Sequence, residues 1–221
     1  MPEKIMGILP LLPGSTLETL YMTLVSTIFA CLMGFPLGTF LYSASPAGLK
    51  PMSFAYNALS RIVNILRSLP FIILMILLIP LSRIIIGTSI GPTAVIIPLS
   101  IAAAPFVARV TESALSEVEH GVITAARSMG AANFQIIRKV LIPEALPALV
   151  SGLALTIINL IGYSAMAGAI GGGGLGSLAI NYGYYRFRME VTIAAVIIIL
   201  VIVELVQFAG TALSRSLLSK R

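Results

Sequence analysis

The sequence predicts an all-α integral membrane protein with five transmembrane helices and one polar, basic loop between the third and fourth. Three observations carry the prediction. Of 221 residues, 58% are hydrophobic and 10% charged, with mean hydropathy +1.04, which leaves too little polar surface to cover a water-soluble globule. The apolar residues come in blocks of about 20, long enough as helices to cross a hydrocarbon core of about 30 Å. Glycine and proline clusters separate the blocks.

No charge lies between Glu18 and Lys50, and residues 20–42 within that window form the first span. Gly34 and Gly38 make a G-x-x-x-G pair around Pro36, a signal of close packing against another helix, in this chain or another. Residues 43–51 are turn chemistry, with two prolines and a glycine. The second span covers 62–83; Arg67 near its start reaches the interface on its aliphatic stem, and Pro70 and Pro80 predict a kinked or locally broken helix. After a turn at 87–91 the third span runs over 92–111. The fourth, 145–168, starts among prolines, which a first helical turn tolerates. Charge-free sequence then continues to Arg186, too long for one helix and too short for two full spans. The glycine cluster at 168–176 therefore ends the fourth span and begins an irregular or re-entrant connection. The fifth span is 191–213, followed by Arg215, Lys220 and Arg221. The whole chain, 1–221, reads as one membrane domain.

All eight carboxylates are Glu, and fourteen Lys and Arg give a net charge of +6. The basic residues are scattered between apolar blocks and form no stripe with interleaved aromatics, so they report orientation and anionic lipid headgroups and not a nucleic-acid partner. Five spans put the two ends on opposite sides. With the C-terminus in the cytoplasm, Lys50, Arg61, Arg67, Arg109, Arg127, Arg138, Lys139, Arg215, Lys220 and Arg221 fall on or near the inner side, and Lys4, Arg83, Arg186 and Arg188 outside. The loop at about 116–143 is then cytoplasmic. Cys31 is alone, so no intramolecular disulfide forms. The first fifteen residues carry Glu3, Lys4 and three prolines and lack the pattern of a cleaved signal peptide, so the first span is expected to be retained.

Within the loop, Val122, Ala125, Ala126 and Met129 recur at helical spacing and Gly130 sits where a left-handed cap would end a short helix. Asn133 is placed to cap a second, on which Phe134, Ile137 and Leu141 form an apolar stripe beside Arg138 and Lys139. Two short helices at an angle make a rigid knob. Small residues at Ala125, Ala126 and Gly130 are expected to let a partner surface approach, while larger side chains anchor the knob to its own chain. The competing reading is an ordinary interfacial amphipathic loop.

The spacing of Thr124, Ala125, Ala126, Gly130, Val140, Ile142 and Pro143 resembles the EAA loop of bacterial ABC importer permeases: Glu-Ala-Ala, three residues, Gly, nine residues, Ile, one residue, Leu-Pro. The chain departs from it with Thr124 for Glu, Val140 for Ile and Ile142 for Leu; only the first removes a contact, a carboxylate offered to the partner. Further runs, Arg67-Ser68-Leu69-Pro70-Phe71, GTSIG at 87–91, AAPFVAR at 103–109, PEALP at 143–147, GYSAMAG at 162–168 and GGGGLG at 171–176, resemble the permeases of methionine ABC importers. That resemblance implies a type I importer fold in the bacterial inner membrane. It also implies a homodimer, two cytoplasmic ATPase subunits that hold ATP and Mg, an external methionine-binding lipoprotein, and alternating access driven through Thr124, Ala125, Ala126, Gly130 and Pro143. A permease for another small amino acid or an osmolyte is the nearest rival, since no set of side chains here visibly chooses a ligand.

The chain contains no G-x-x-x-x-G-K-[ST] phosphate loop, so no ATP site of that kind is expected in it, nor any cofactor or metal site or catalytic group. An intramembrane enzyme is the rival from another class. Residues 87–91 satisfy G-x-S-x-G, but the only histidine, His120, is expected on the opposite membrane face. Residues 171–176 satisfy G-x-G-x-x-G without a preceding strand or a following acid. Gly171, Gly172, Gly173, Gly174 and Gly176 read instead as a hinge or a close-packing site near the external mouth, against a plain loop. Tyr163, Ser164 and Met166 put an aromatic ring, a hydroxyl and a flexible thioether at one level just before that cluster. Met166 is the candidate gate, and simple packing of spans is the alternative. Glu204 inside the fifth span is expected to face protein or water, or to be protonated.

Overall fold

The computed structural model describes residues 10–219; Glu3, Lys4, Lys220 and Arg221 lie outside them. The described residues are helical almost throughout, in the order α1 (Leu11–Ala44), α2 (Ser53–Ser68), α3 (Phe71–Ile86), α4 (Pro92–Ser116), α5 (His120–Ser128), α6 (Asn133–Ile136), α7 (Ile142–Ala167), α8 (Gly174–Leu178) and α9 (Met189–Leu218). Single π-helical segments, Ile137–Leu141 and Ala179–Tyr184, follow α6 and α8. Four stretches are long and apolar enough to cross a membrane, or five if α2 and α3 are counted as one broken span.

α4 is the centre of the bundle, with α1, α2, α3 and α7 packed around it. Its closest neighbour is α1, and the reason is the Gly34/Gly38 pair. A Cβ on Gly34 would stand 2.5 Å from the Ala104 carbonyl oxygen, and one on Gly38 2.3 Å from that of Ala108, so only glycine lets the two backbones come together. The neighbour is thus in the same chain. Threonine hydroxyls that would otherwise be orphaned in this apolar seam donate back to their own helix, as Thr23 Oγ1 does to Thr19 O at 2.9 Å and Thr27 Oγ1 to Thr23 O at 2.7 Å. α9 is the least buried long helix; only Val191, Ala195 and Ser214 of it are fully buried, and the Ser214 hydroxyl donates to Pro147 O of α7 at 2.9 Å.

The segment read as one span over 62–83 is divided. α2 and α3 meet at 103°, with the break at Leu69 and Pro70. Pro70 lacks an N–H and drives the preceding residue into extended backbone, so the helix cannot continue through it. Pro80, by contrast, sits inside α3 without ending it. α2 also begins at Ser53, earlier than expected, and Arg109 of α4 fastens its middle. The Arg109 guanidinium donates to Ser60 O at 3.0 Å, to Ser60 Oγ, and to Asn64 Oδ1 at 2.9 Å, and pairs with Glu112 at 2.6 Å.

The connection expected to be irregular after the fourth span is largely helical. A 3-10 turn at Gly168–Ile170 leads through Gly171, Gly172 and Gly173 into α8 and its π-helical extension.

Candidate functional site

The loop between α4 and α7 folds as a compact knob. α5 ends at Ser128 with Met129 as its C-cap, and Gly130 takes φ +80, the left-handed conformation that favours glycine. The turn is closed by Gly130 N donating to Arg127 O at 2.9 Å and Ala131 N to Ala126 O at 3.1 Å, which satisfies the last carbonyls of α5. Ala132, not Asn133, is the N-cap of α6; its N–H donates to Gln135 Oε1 at 3.0 Å, so the cap comes from three residues ahead and Asn133 is the first helical residue.

Ile123, Ala126, Ile136 and Leu141 are buried together with Tyr42, Leu49, Leu115 and Val118, which seats the knob on the ends of α1 and α4. Arg127 adds a donation to Leu49 O at 3.0 Å. One expectation is corrected here. Ala126 is 5% exposed and faces inward; its small size serves the knob's own packing and not the approach of a partner. Helical periodicity decides this, because Ala126 lies three residues after Ile123 on the buried stripe. Thr124, Ala125 and Gly130 are exposed, as are Val122, Met129 and Phe134, the last two by 82% and 70%. Thr124 Oγ1 donates to His120 O at 2.9 Å and Thr124 O accepts from Ser128 Oγ at 3.1 Å. Pro143, also exposed, stands at the start of α7 just after the π-helical turn, in which Ile142 N donates to Ile137 O; a proline there has no N–H to lose.

At the other end of the bundle the glycines are packing points. A Cβ on Gly176 would meet Ala165 O at 2.3 Å, on Gly172 Ala167 O at 2.8 Å, on Gly173 Glu18 Oε2 at 2.9 Å and on Gly174 Thr19 Oγ1 at 2.6 Å; on Gly171 the nearest atom is an Ile90 methyl at 3.3 Å. Gly171, Gly173 and Gly174 also have positive φ, and Gly171 O accepts from Gly91 N at 2.9 Å. α8 is capped from a distant helix: Gly174 N donates to Glu18 Oε2 at 2.7 Å and Leu175 N to Thr19 Oγ1 at 2.9 Å. Glu18 and Thr19 were not singled out in the sequence, since nothing local marks them as partners of residues 174 and 175. Glu18→Ala is expected to cost about 1 kcal/mol, as loss of a helix cap does. The Tm of the detergent-purified protein should fall by about 2–4 °C, and Glu18→Gln, which keeps an acceptor oxygen, should recover most of it.

Tyr163, Ser164 and Met166 do not share one face. Tyr163 stacks on Phe71 of α3, with ring centroids 4.5 Å apart and planes 5° from parallel. Ser164 is buried within the single chain and its hydroxyl donates to Ile161 O at 2.8 Å. Met166 is exposed on the single chain. Beside the stacked pair a cavity of about 250 Å³ opens at the α2–α3 break, with Arg67, Phe71, Phe106, Asn159 and Tyr163 among its walls. Ser89 and His120 lie at opposite ends of α4, so no nucleophile–base pair forms there. Glu204 is exposed on α9, and among the described residues its carboxylate makes no hydrogen bond or ion pair. Among the described residues no three His, Cys, Asp or Glu side chains come together as metal ligands.

The family model described as "Binding-protein-dependent transport system inner membrane component" matches residues 34–219. A probable D-methionine transport system permease protein MetI of Pasteurella multocida is 50% identical over 90% of this chain and 92% of its own. The protein of that description from Vibrio cholerae is 47% identical over 93% and 91%. A solved structure of the MetNI methionine ABC transporter, in inward-facing conformations, contains a chain 46% identical that superimposes with a TM-score of 0.93 over 96% of this chain and 98% of that one.

Proposed function

We infer the function from the family to which this chain belongs, the inner membrane components of binding-protein-dependent transport systems: it is the transmembrane permease subunit of an ATP-driven methionine importer, coupled to a separate ATPase. The observation that carries this is the match to methionine-transport permeases along nearly the whole chain, in sequence and in fold together. The subunit converts motion and does no chemistry of its own.

In the arrangement we propose, two copies of the chain form the pore and two ATPase subunits seat on the α5–α6 knobs at the cytoplasmic face. An external binding protein delivers methionine, in D as well as L form, to the glycine end, and the C-terminus is cytoplasmic. What supports the knob as the docking element is its division of faces: a buried apolar stripe fastens it to α1 and α4, while Val122, Ala125, Met129 and Phe134 are left uncovered. Force from a water-soluble engine has to enter the membrane helices through a stiff contact of this kind. Thr124, Ala125, Gly130 and Pro143 lie on its outer surface, and the glycines at 171–174 and 176 form a close-packed joint at the far end.

Reconstitution tests the reading. The chain co-expressed with its ATPase and binding protein in proteoliposomes should take up labelled methionine only with ATP inside the partner compartment, and failure to take up methionine while another amino acid is transported would replace the substrate. Met166 is proposed as the gate because it is a large flexible side chain standing uncovered at the level of the joint. Met166→Ala should raise ATP hydrolysis in the absence of binding protein at least about twofold; unchanged tightness and basal hydrolysis would assign Met166 to packing alone.

A further inference from the structure

The cavity at the α2–α3 break has an unusual polar inventory for its position. Ala102 and Phe106, on its wall, precede Arg109 by seven and three residues in α4, which places the cavity in the half of the span toward Arg109. Irregular backbone within a span is tolerated where it lines a polar cavity, and broken helices in transporters do this around their cargo. Arg67 contributes a guanidinium that lies over the Phe106 ring at 5.8 Å from the centroid. Among the described residues it has no carboxylate partner, and the side chains of Arg67, Asn159 and Tyr163 make no hydrogen bond to another protein group. Arg67 is exposed on the single chain, and a cation at the edge of an apolar span without a counterion is left for water or an anionic ligand to meet.

We propose that this cavity is a substrate subsite of the permease, in which Arg67 holds the carboxylate of a free amino acid and the stacked Phe71–Tyr163 pair with Phe106 receives its apolar side chain. The inference deepens the transport reading and rests on it. One cation and no acid on the wall select a monoanionic group; a phosphate dianion would lack a second positive charge, and a bare amine would be repelled. About 250 Å³ lies below the roughly 300 Å³ at which pockets for drug-sized ligands begin, so the space suits a single amino acid. The aromatic walls suit a thioether, whose sulfur makes favourable contacts with ring edges. Asn159 and the Tyr163 hydroxyl remain to orient the polar end.

The test is equilibrium binding of labelled L-methionine to the detergent-purified permease–ATPase complex with no binding protein present. The wild-type complex should bind it saturably, and L-methioninol, which carries a hydroxymethyl group in place of the carboxylate, at least about tenfold more weakly. Arg67→Gln should lose at least about tenfold, with Arg67→Lys keeping part of the affinity through its point charge. Absence of saturable binding, equal binding of methioninol, or unchanged binding in Arg67→Gln would each overturn the subsite. The Arg67 variants assign the binding to this chain and not to the ATPase; where Arg67→Gln fails to assemble, Phe106→Leu, which removes the ring beside the guanidinium, takes its place, and unchanged binding there overturns the subsite. Uptake by the wild type with binding protein and ATP is measured alongside. Uptake without any binding to the complex refutes the subsite alone, whereas no methionine uptake at all refutes the transport reading beneath it.

Discussion

Ala126→Glu is expected to reduce ATP-driven methionine uptake in proteoliposomes to background while the ATPase partner still hydrolyses ATP. Ala126 is packed between Ile123, Ile136 and Leu141 against the end of α4, with no cation buried beside it. A carboxylate forced into that position is both too large and unpaired, and an uncompensated buried charge costs about 3–5 kcal/mol. The knob consists of nine residues of α5 and four of α6, too few to hold their shape without this core. The face that meets the engine would loosen and the stroke would no longer reach the membrane helices. Ala125→Glu separates the alternatives, since Ala125 is exposed: it alters the contact and leaves the packing intact. Ala126→Glu should therefore lower the thermal stability of the purified permease and Ala125→Glu should not. Wild-type uptake by the Ala126→Glu protein would remove the knob from the mechanism.

Gly38→Val should prevent the permease from accumulating as a folded membrane protein. A Cβ at position 38 would lie 2.3 Å from Ala108 O and 2.6 Å from Thr111 Cβ, and backbone cannot retreat as the end of a long side chain can. α1 and α4 would have to separate along their seam, undoing the pairing on which the rest of the bundle is built. Overpacking a core commonly costs 1–3 kcal/mol for added methylenes alone, and a whole-helix displacement adds lost contacts on both sides. The measurement is the yield of monodisperse protein extracted in mild detergent, with Gly14→Val as control because a Cβ at Gly14 meets no atom within 4 Å. Equal yields would mean that the seam is looser than its geometry.

The long helices were legible because bilayer thickness leaves its length in the sequence: apolar blocks over 20–42, 92–111 and 191–213, with only Arg109 and Glu204 charged in them, lie inside α1, α4 and α9. α4 continues past 111 to Ser116, with Glu112 paired to Arg109 within the helix. α2 was half hidden, since Asn57, Ser60 and Arg61 interrupt its apolar run, and the partner that Ser60 and Asn64 meet, Arg109, lies on another helix. The Gly130 turn could be read from a single residue, because positive φ is a local property. Which way Ala126 faced depended on the buried phase of α5, and small residues fit either face. The cavity at the break left no local pattern at all: Arg67, Phe106, Asn159 and Tyr163 come from three helices and meet only through the 103° turn that Pro70 imposes.

The hydrogen bond from Gly174 to Glu18 joins residues 156 apart in the chain. Ribosomes add about 5–20 residues per second, so the first helix waits roughly 8–30 s in the bilayer before its partner is made. During that interval Glu18 has only water and headgroups to meet, and the bundle stays open on that side. Closure belongs to the last stage of synthesis, and nascent chains stalled before residue 174 should be the substrates that membrane quality-control proteases remove.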